Sequence, residues 1–281
     1  MLLAQSLDFL EWEQLMSKRL HPDNQQDQSP TVASYCCYHS DLAVAEYCDA
    51  HYGPDRLGVG NFSARLARLC SETLQDQPHG RALELGCAVG RACFELALDF
   101  EQVTGIDYSS QFITIARRIQ ECGIVRYRLV DEGVLLSDQQ VALADLGLAD
   151  AAGRVDFQQG DALHLPDGLE RYDLVLAANL LDRLSRPGRF LAGVHRYLHL
   201  GGLLVIASPY DWQEEFTPRR YWLGGRYRAG SPLAPVQQIS RRLGRRFSQV
   251  GEPVELEFVL RRTARTYHHN ISQVTCWRRE S

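Results

Sequence analysis

RALELGCAVGRACFELAL, residues 81–98, runs from an apolar strand through a bend holding Gly86 and Gly90 into a helix. A strand-to-helix bend with glycine lets a ligand approach the backbone, because no Cβ stands in the way. A phosphate-binding loop needs Lys-Ser/Thr after its last glycine, and here Arg91-Ala92 follow. A dinucleotide fingerprint needs G-x-G-x-x-G. Here the spacing is G-x-x-x-G, with Glu84 just before it. A carboxylate at the bend repels a pyrophosphate and suits a ligand carrying an ammonium group.

Outward from the bend, the chain alternates. HGRALELG (79–86) reads as a strand, RACFELALDF (91–100) as a helix and QVTGID (102–107) as a strand. SSQFITIARRIQECG (109–123) is a helix with a serine start and a glycine stop. Residues 126–152 interrupt the pattern as an insertion with one short helix, SDQQVALADLGL (137–148). RVDFQQGD restores the strand signal, and RYDLVLAANLL is apolar enough to be buried on both faces. PGRFLAGVHRYLHLGG (187–202) reads as a helix ending in a glycine pair, and LLVIASP as the next strand. A helix over 235–247 and two strand-like runs, PVELEFVLRR and NISQVTCWRR, follow. This alternation predicts a parallel sheet with helices on both faces. Before the core, DLAVAEYCDAH is a helix capped by Ser40-Asp41 and stopped at Gly53-Pro54, and FSARLARLCSETL is a second. Positions 3, 7, 10 and 15 suggest an amphipathic helix, and 21–34 a polar linker.

The 281 residues suit one decorated α/β domain, with 45% hydrophobic and 23% charged residues. A net charge of −5 gives no basic footprint for nucleic acid. The one dense basic run, RRLGRRF (241–247), reads as a solvated helix face, because 239, 243 and 247 are apolar. Eight cysteines include no CxxC pair, so reduced thiols and no metal are expected. No apolar run is long enough to span a membrane, and the first residues lack the features of a secretory signal. The expectation is a cytoplasmic protein.

ELGCAVG resembles the E/D-x-G-x-G-x-G motif of class I S-adenosylmethionine-dependent methyltransferases, with Ala88 at the middle glycine. Asp107, 17 residues after Gly90, matches the acid that accepts both ribose hydroxyls in such folds. QGDALHLP resembles the next motif, which sets Asp161 at the adenine amino group and Ala162 near its ring. YDLVLAANLLDRL resembles the strand-four motif, with Asn179 facing the methionine end and the substrate. The resemblance implies a Rossmann-like α/β fold: a mostly parallel seven-stranded sheet, helices on both faces and a C-terminal antiparallel hairpin. It implies S-adenosylmethionine held by Glu84, Gly86, Cys87, Ala88, Gly90, Asp107, Tyr108, Asp161, Ala162 and Asn179. As simpler alternatives, Asp107 could cap a helix, Asp161 could be a loop acid and Asn179 could bond a neighbouring turn.

The flanks carry a narrower resemblance. AEYCDAHYG, GVGNF, VTGIDYSSQFI, SPYDWQEEFTPRRYWLGG and RRTARTYHHNISQVTCWRR together resemble the methyltransferase of ovothiol biosynthesis, from about residue 38 to 279. That family is described as a 4-mercaptohistidine N1-methyltransferase, in many relatives joined to an iron-dependent sulfoxide synthase. The resemblance divides the chain into an N-terminal helix and linker (1–37) and a methyltransferase domain (38–281). Lid helices fall in 38–78 and a substrate-side insertion in 210–234. It implies a stand-alone enzyme acting on 5-thiohistidine or its selenium analogue, with a separate synthase as a possible partner. An imidazole nitrogen attacks only with its lone pair free, so a base helps. The candidate catalytic residues are His51, Glu215, His268 and Asn179. Tyr47, His51, Asn61, Asp182, Tyr210, Trp212, Glu214, Arg265 and Tyr267 are the candidates for the substrate, the last two because the terminal hairpin would return its turn to the active face. RNA or protein methylation is disfavoured, since NLLDRL stands where base and glutamine methylators often carry N/D-P-P-Y. A non-catalytic partner of the synthase is disfavoured by the intact motif acids.

Overall fold

The computed structural model describes residues 41–75, 79–166, 168–228 and 230–281. The candidate N-terminal helix, the 21–34 linker and the Ser40 cap lie outside them. Two helices lead in, α1 (Asp41–Tyr52) and α2 (Phe62–Leu74). The core alternates as β1 (Arg81–Leu85), α3 (Arg91–Leu96), β2 (Gln102–Asp107) and α4 (Ser110–Cys122). A hairpin of β3 (Ile124–Glu132) and β4 (Leu135–Ala142) interrupts it. β5 (Val155–Gln159), β6 (Tyr172–Ala178), α5 (Pro187–Gly193) and β7 (Leu198–Ser208) resume it. A minimal hairpin, β8 (Tyr227–Arg228) with β9 (Ser231–Pro232), precedes α6 (Pro235–Leu243), β10 (Phe247–Arg261) and β11 (Tyr267–Arg279).

Seven strands form one sheet in the order β10-β11-β7-β6-β1-β2-β5. Five run parallel; β11 is antiparallel to both β7 and β10. Two hydrophobic clusters cover the faces. One joins the sheet to α1 to α4, through Tyr52, Leu66, Phe94 and Ile113, and the other to α5 and α6, through Phe190 and Ile239. The strand order reverses beside β1, so its carboxyl end and that of β6 border the crevice where open α/β sheets take ligands.

Local sequence explains most elements. Ser109 caps α4 by accepting from the Phe112 amide at 3.3 Å, and Gly123 ends it in the left-handed region. Three expectations change. Residues 137–148 form β4 and short 3-10 turns instead of a helix. The cause is β3, where Val125, Tyr127 and Leu129 alternate inward and Gly133 (φ +58) turns the chain back to pair Arg126 with Gln140. The helix from 187 ends at Gly193 with a 3-10 turn to Tyr197, and the glycine pair lies inside β7. There Gly201 (φ +79) and Gly202 form an irregularity against β6. The basic run ends its helix early, since Gly244 breaks it and β10 begins at Phe247.

Candidate active site

The bend after β1 is built from three left-handed residues, Gly86 (φ +78), Ala88 (φ +46) and Gly90 (φ +87). The Gly86 and Cys87 amides both donate to the Ile106 carbonyl, at 2.7 and 3.2 Å. A Cβ on Gly90 would stand 2.4 Å from the Phe157 ring. Ala88 holds a conformation that glycine adopts without cost. Its amide donates to Asp107 Oδ2 at 2.8 Å, and the Ser109 amide donates to Oδ1 at 2.8 Å. Asp107 therefore ties the bend to the start of α4, while Ser109 does the capping. Burial raises the Asp107 pKa and these two N–H donors oppose it. Each oxygen keeps a second lone pair for a ligand hydroxyl.

Glu84 lies beneath the bend. It is 2% exposed and accepts from the Cys93 thiol at 2.9 Å. Burial pushes its pKa up to about 7. Cys87 is fully buried beside it, so only its backbone can meet a ligand. Tyr108, by contrast, is 56% exposed at the end of β2.

α1 is fastened onto the bend at its last turn. The Tyr52 hydroxyl donates to the Val89 carbonyl at 2.7 Å, and Arg91 Nη1 donates to the His51 carbonyl at 3.3 Å. The Tyr47 and His51 rings are 6.1 Å apart, and Tyr47 packs on Phe112 of α4 at 4.7 Å. His51 Nδ1 is buried without a hydrogen-bond partner. Burial, aided by the Arg91 charge, lowers the His51 pKa to about 3, so the ring is neutral at ordinary pH.

The other strand ends complete the crevice. After β5, Asp161 accepts from the Leu163 amide at 2.8 Å and contacts His164 Nδ1 at 2.7 Å, which shapes the loop carrying Ala162. After β6, Asn179 (φ +50) accepts from Ser272 Oγ of β11 at 2.7 Å. After β7, Tyr210 (φ +53) donates its hydroxyl to Gln273 Oε1 at 3.3 Å. Non-glycine residues held at positive φ concentrate where structure over-determines them, often at ligand sites.

Several sequence candidates are placed otherwise. Asn61 caps α2 through Ala64 and donates to the Ala50 and His51 carbonyls, so its amide is spent on local structure. Asp182 is fully buried, accepting from Ser208 Oγ at 3.2 Å and pairing with Arg183, which makes it a brace for the turn at Tyr210. Burial lifts its pKa to about 6. Glu214 is exposed in an ion pair with Arg219, and Glu215 is exposed too. The Arg265 side chain is 89% exposed, and the Tyr267 hydroxyl donates to the Ala264 carbonyl within the turn. His268 is exposed, with Arg262 Nε 3.4 Å from its Nδ1. Trp212 stacks on Trp222 at 6.4 Å, its indole nitrogen buried and unpartnered.

One constellation escaped the sequence. Arg262, near the hairpin tip, donates through Nη1 to Glu46 of α1 at 2.6 Å. Beside it, Arg261 meets Asp131 of β3, and the Tyr127 hydroxyl of β3 donates to Asp49 of α1 at 3.2 Å. The turn does overhang the carboxyl ends of the parallel strands, since Gln273 already pairs with Ser208, the last residue of β7. Nothing in the spacing of Glu46 and Arg262 announces that they meet.

Among the described residues, no cluster of three or more His, Cys, Asp or Glu side chains is placed to hold a metal, and no helix is long and apolar enough to cross a membrane.

Comparison with known proteins agrees with this geometry. Residues 83–206 match the family described as a methyltransferase domain. Ajmaline N-methyltransferase of Rauvolfia serpentina is 26% identical over 170 residues, 56% of this chain and 49% of that protein. The O-methyltransferase cnsE of Penicillium expansum is 28% identical over 145 residues, 51% of this chain and 43% of its own. The chain thus spans about half the length of these curated relatives. The crystal structure of the 4+2 cyclase SpnF superposes with a TM-score of 0.54 at 17% identity, covering 92% of this chain and 99% of that one. That likeness shows the fold alone. Fold and family match agree: residues 83–206 are similar to a methyltransferase domain, on a Rossmann-like methyltransferase fold.

Proposed function

We propose that this protein methylates an imidazole nitrogen of 5-thiohistidine, as a stand-alone N-methyltransferase of ovothiol biosynthesis. The observation that carries the reading is His51: a neutral imidazole at the end of the lid helix, fastened above the bend, with a buried and unpartnered ring nitrogen. A neutral hydrogen-bond acceptor of this kind can hold the N–H of an acceptor ring and leave the lone pair of its other nitrogen free for attack. Glu215 and His268 fill that role less well, because both are exposed. The narrow sequence resemblance supplies the identity of the acceptor. Two curated relatives, ajmaline and norajmaline N-methyltransferases, bear N-methylation in their names.

The residues fit the cofactor. Gly90 lets the bend pack against the Phe157 ring where a Cβ would not fit, and Glu84 beneath it favours a nearby ammonium. Gly86 to Gly90, Asp107, Asp161, Ala162 and Asn179 would hold it. S-adenosylmethionine supplies a methyl group activated on a sulfonium. The protein's own work is alignment and proton handling. α1 closes the bend from water, Asn179 and Tyr210 wall the acceptor side, and His51 holds the ring N–H in a hydrogen bond, its proton leaving to solvent after transfer. A separate iron-dependent sulfoxide synthase is the expected partner.

Incubation with S-adenosylmethionine and 5-thiohistidine is expected to yield a product heavier by one methyl. Cofactor binding without any such product removes the assignment. Preferred turnover of the selenium analogue would move it to selenohistidine.

A further inference from the structure

The outer half of the β10–β11 hairpin carries a row of polar side chains above the crevice. Residues two apart on a strand share a face. Ser272, Asn270 and His268 of β11 therefore point the same way, and Ser272 fixes the direction by donating to Asn179. Asn270 lies opposite Phe258, whose ring packs on Phe62 of α2 at 5.3 Å, so this face looks toward the lead-in helices. His269 faces away and pairs with Glu257. The row ends at Arg262, which reaches His268 through Nε and Glu46 through Nη1. Four residues of strand carry it about 13 Å from Ser272 to His268. The Arg262 and Glu46 side chains are only 8% and 14% exposed, while His268 keeps the row open to solvent.

A buried ion pair adds little stability over an apolar pair of similar volume. Here Arg262 Nη1 donates to both Glu46 oxygens. A guanidinium beside a carboxylate is the complement of a zwitterion. Resting on the reaction proposed above, we infer that Arg262 and Glu46 form the subsite for the carboxylate and ammonium groups of an α-amino-acid acceptor. The ligand's charges replace each partner of the pair, and its ring points down the row toward Asn179.

Titration calorimetry in the presence of S-adenosylhomocysteine compares 5-thiohistidine with 4-mercaptoimidazole, the same ring without the amino-acid end. The amino acid is expected to bind at least ~100-fold more tightly. Glu46→Gln and Arg262→Gln, made together so that neither charge is stranded, are expected to erase most of that margin and leave S-adenosylhomocysteine affinity unchanged. Equal affinity of the wild type for both thiols overturns the subsite, and this comparison needs no variant to fold. Failure of the wild type to methylate either thiol in a parallel mass assay overturns the reaction instead.

Discussion

At Gly90 the bend has no room to spare. A methyl there meets the Phe157 ring at 2.4 Å while φ stays at +87. Gly90→Ala is expected to cost about 1–3 kcal/mol in denaturant unfolding and to weaken cofactor binding in titration. Glu84 gives a pH signature. Its folded pKa is raised from 4.5 to about 7, so the folded state holds the proton more tightly than the unfolded chain. That stabilisation is complete below about 4.5 and is lost as pH rises through about 7. A bound cation favours the ionised form, so cofactor binding at pH 7 is expected to release protons. Calorimetry in buffers of different ionisation enthalpy measures this, and Glu84→Gln should abolish it. Glycine made Gly86 and Gly90 legible in the sequence. Ala88 was legible only by analogy, since an alanine at φ +46 carries no mark of its own.

α1 works as an element because three of its last residues engage the bend or its neighbours: His51 and Tyr52 meet Arg91 and Val89, and Asp49 meets Tyr127 and Arg56. Tyr52→Phe leaves the Val89 carbonyl unpaired, at an expected cost of about 1–3 kcal/mol. Hydrogen exchange along α1 should rise in step with that loss. His51 titrates near 3, so the protein loses stability as pH falls from 6.5 toward 3, where the unfolded chain binds the extra proton. The pH profile of methyl transfer should accordingly show no limb near 6.5 owed to His51. A limb there that disappears in His51→Gln would show His51 titrating in its ordinary range and overturn the lowered value. Helices bounded by caps, such as α4 with Ser109 and Gly123, were readable because the signal is local. β4 was misread as helix because its pairing with β3 is a tertiary fact that SDQQVALA does not announce.

Across the whole molecule, α1, the β3–β4 hairpin and the β10–β11 tip are joined by charged contacts, Glu46 to Arg262 and Asp131 to Arg261. Arg262→Ala strands Glu46 in a buried setting and is expected to destabilise by about 3–5 kcal/mol in denaturant unfolding. The βα alternation made the parallel sheet legible, because each crossover is written in consecutive residues. The Glu46–Arg262 contact was not legible, because the two are 216 residues apart and meet only through the fold. Arg265 drew notice by its place in the turn, yet it is the buried neighbour three residues earlier that reaches α1.

β11 comes after β10 in the chain but inserts between β10 and β7. A growing polypeptide that has made only β10 therefore has no neighbour for it, and the flank of β7 stays open. Folding during synthesis proceeds from the N-terminal side, so the cofactor bend can assemble well before the wall that carries Ser272 and Arg262. A nascent chain stalled ahead of β11 should thus retain donor and product on its surface while being unable to discriminate among acceptors. Translation order separates the two halves of the task in time.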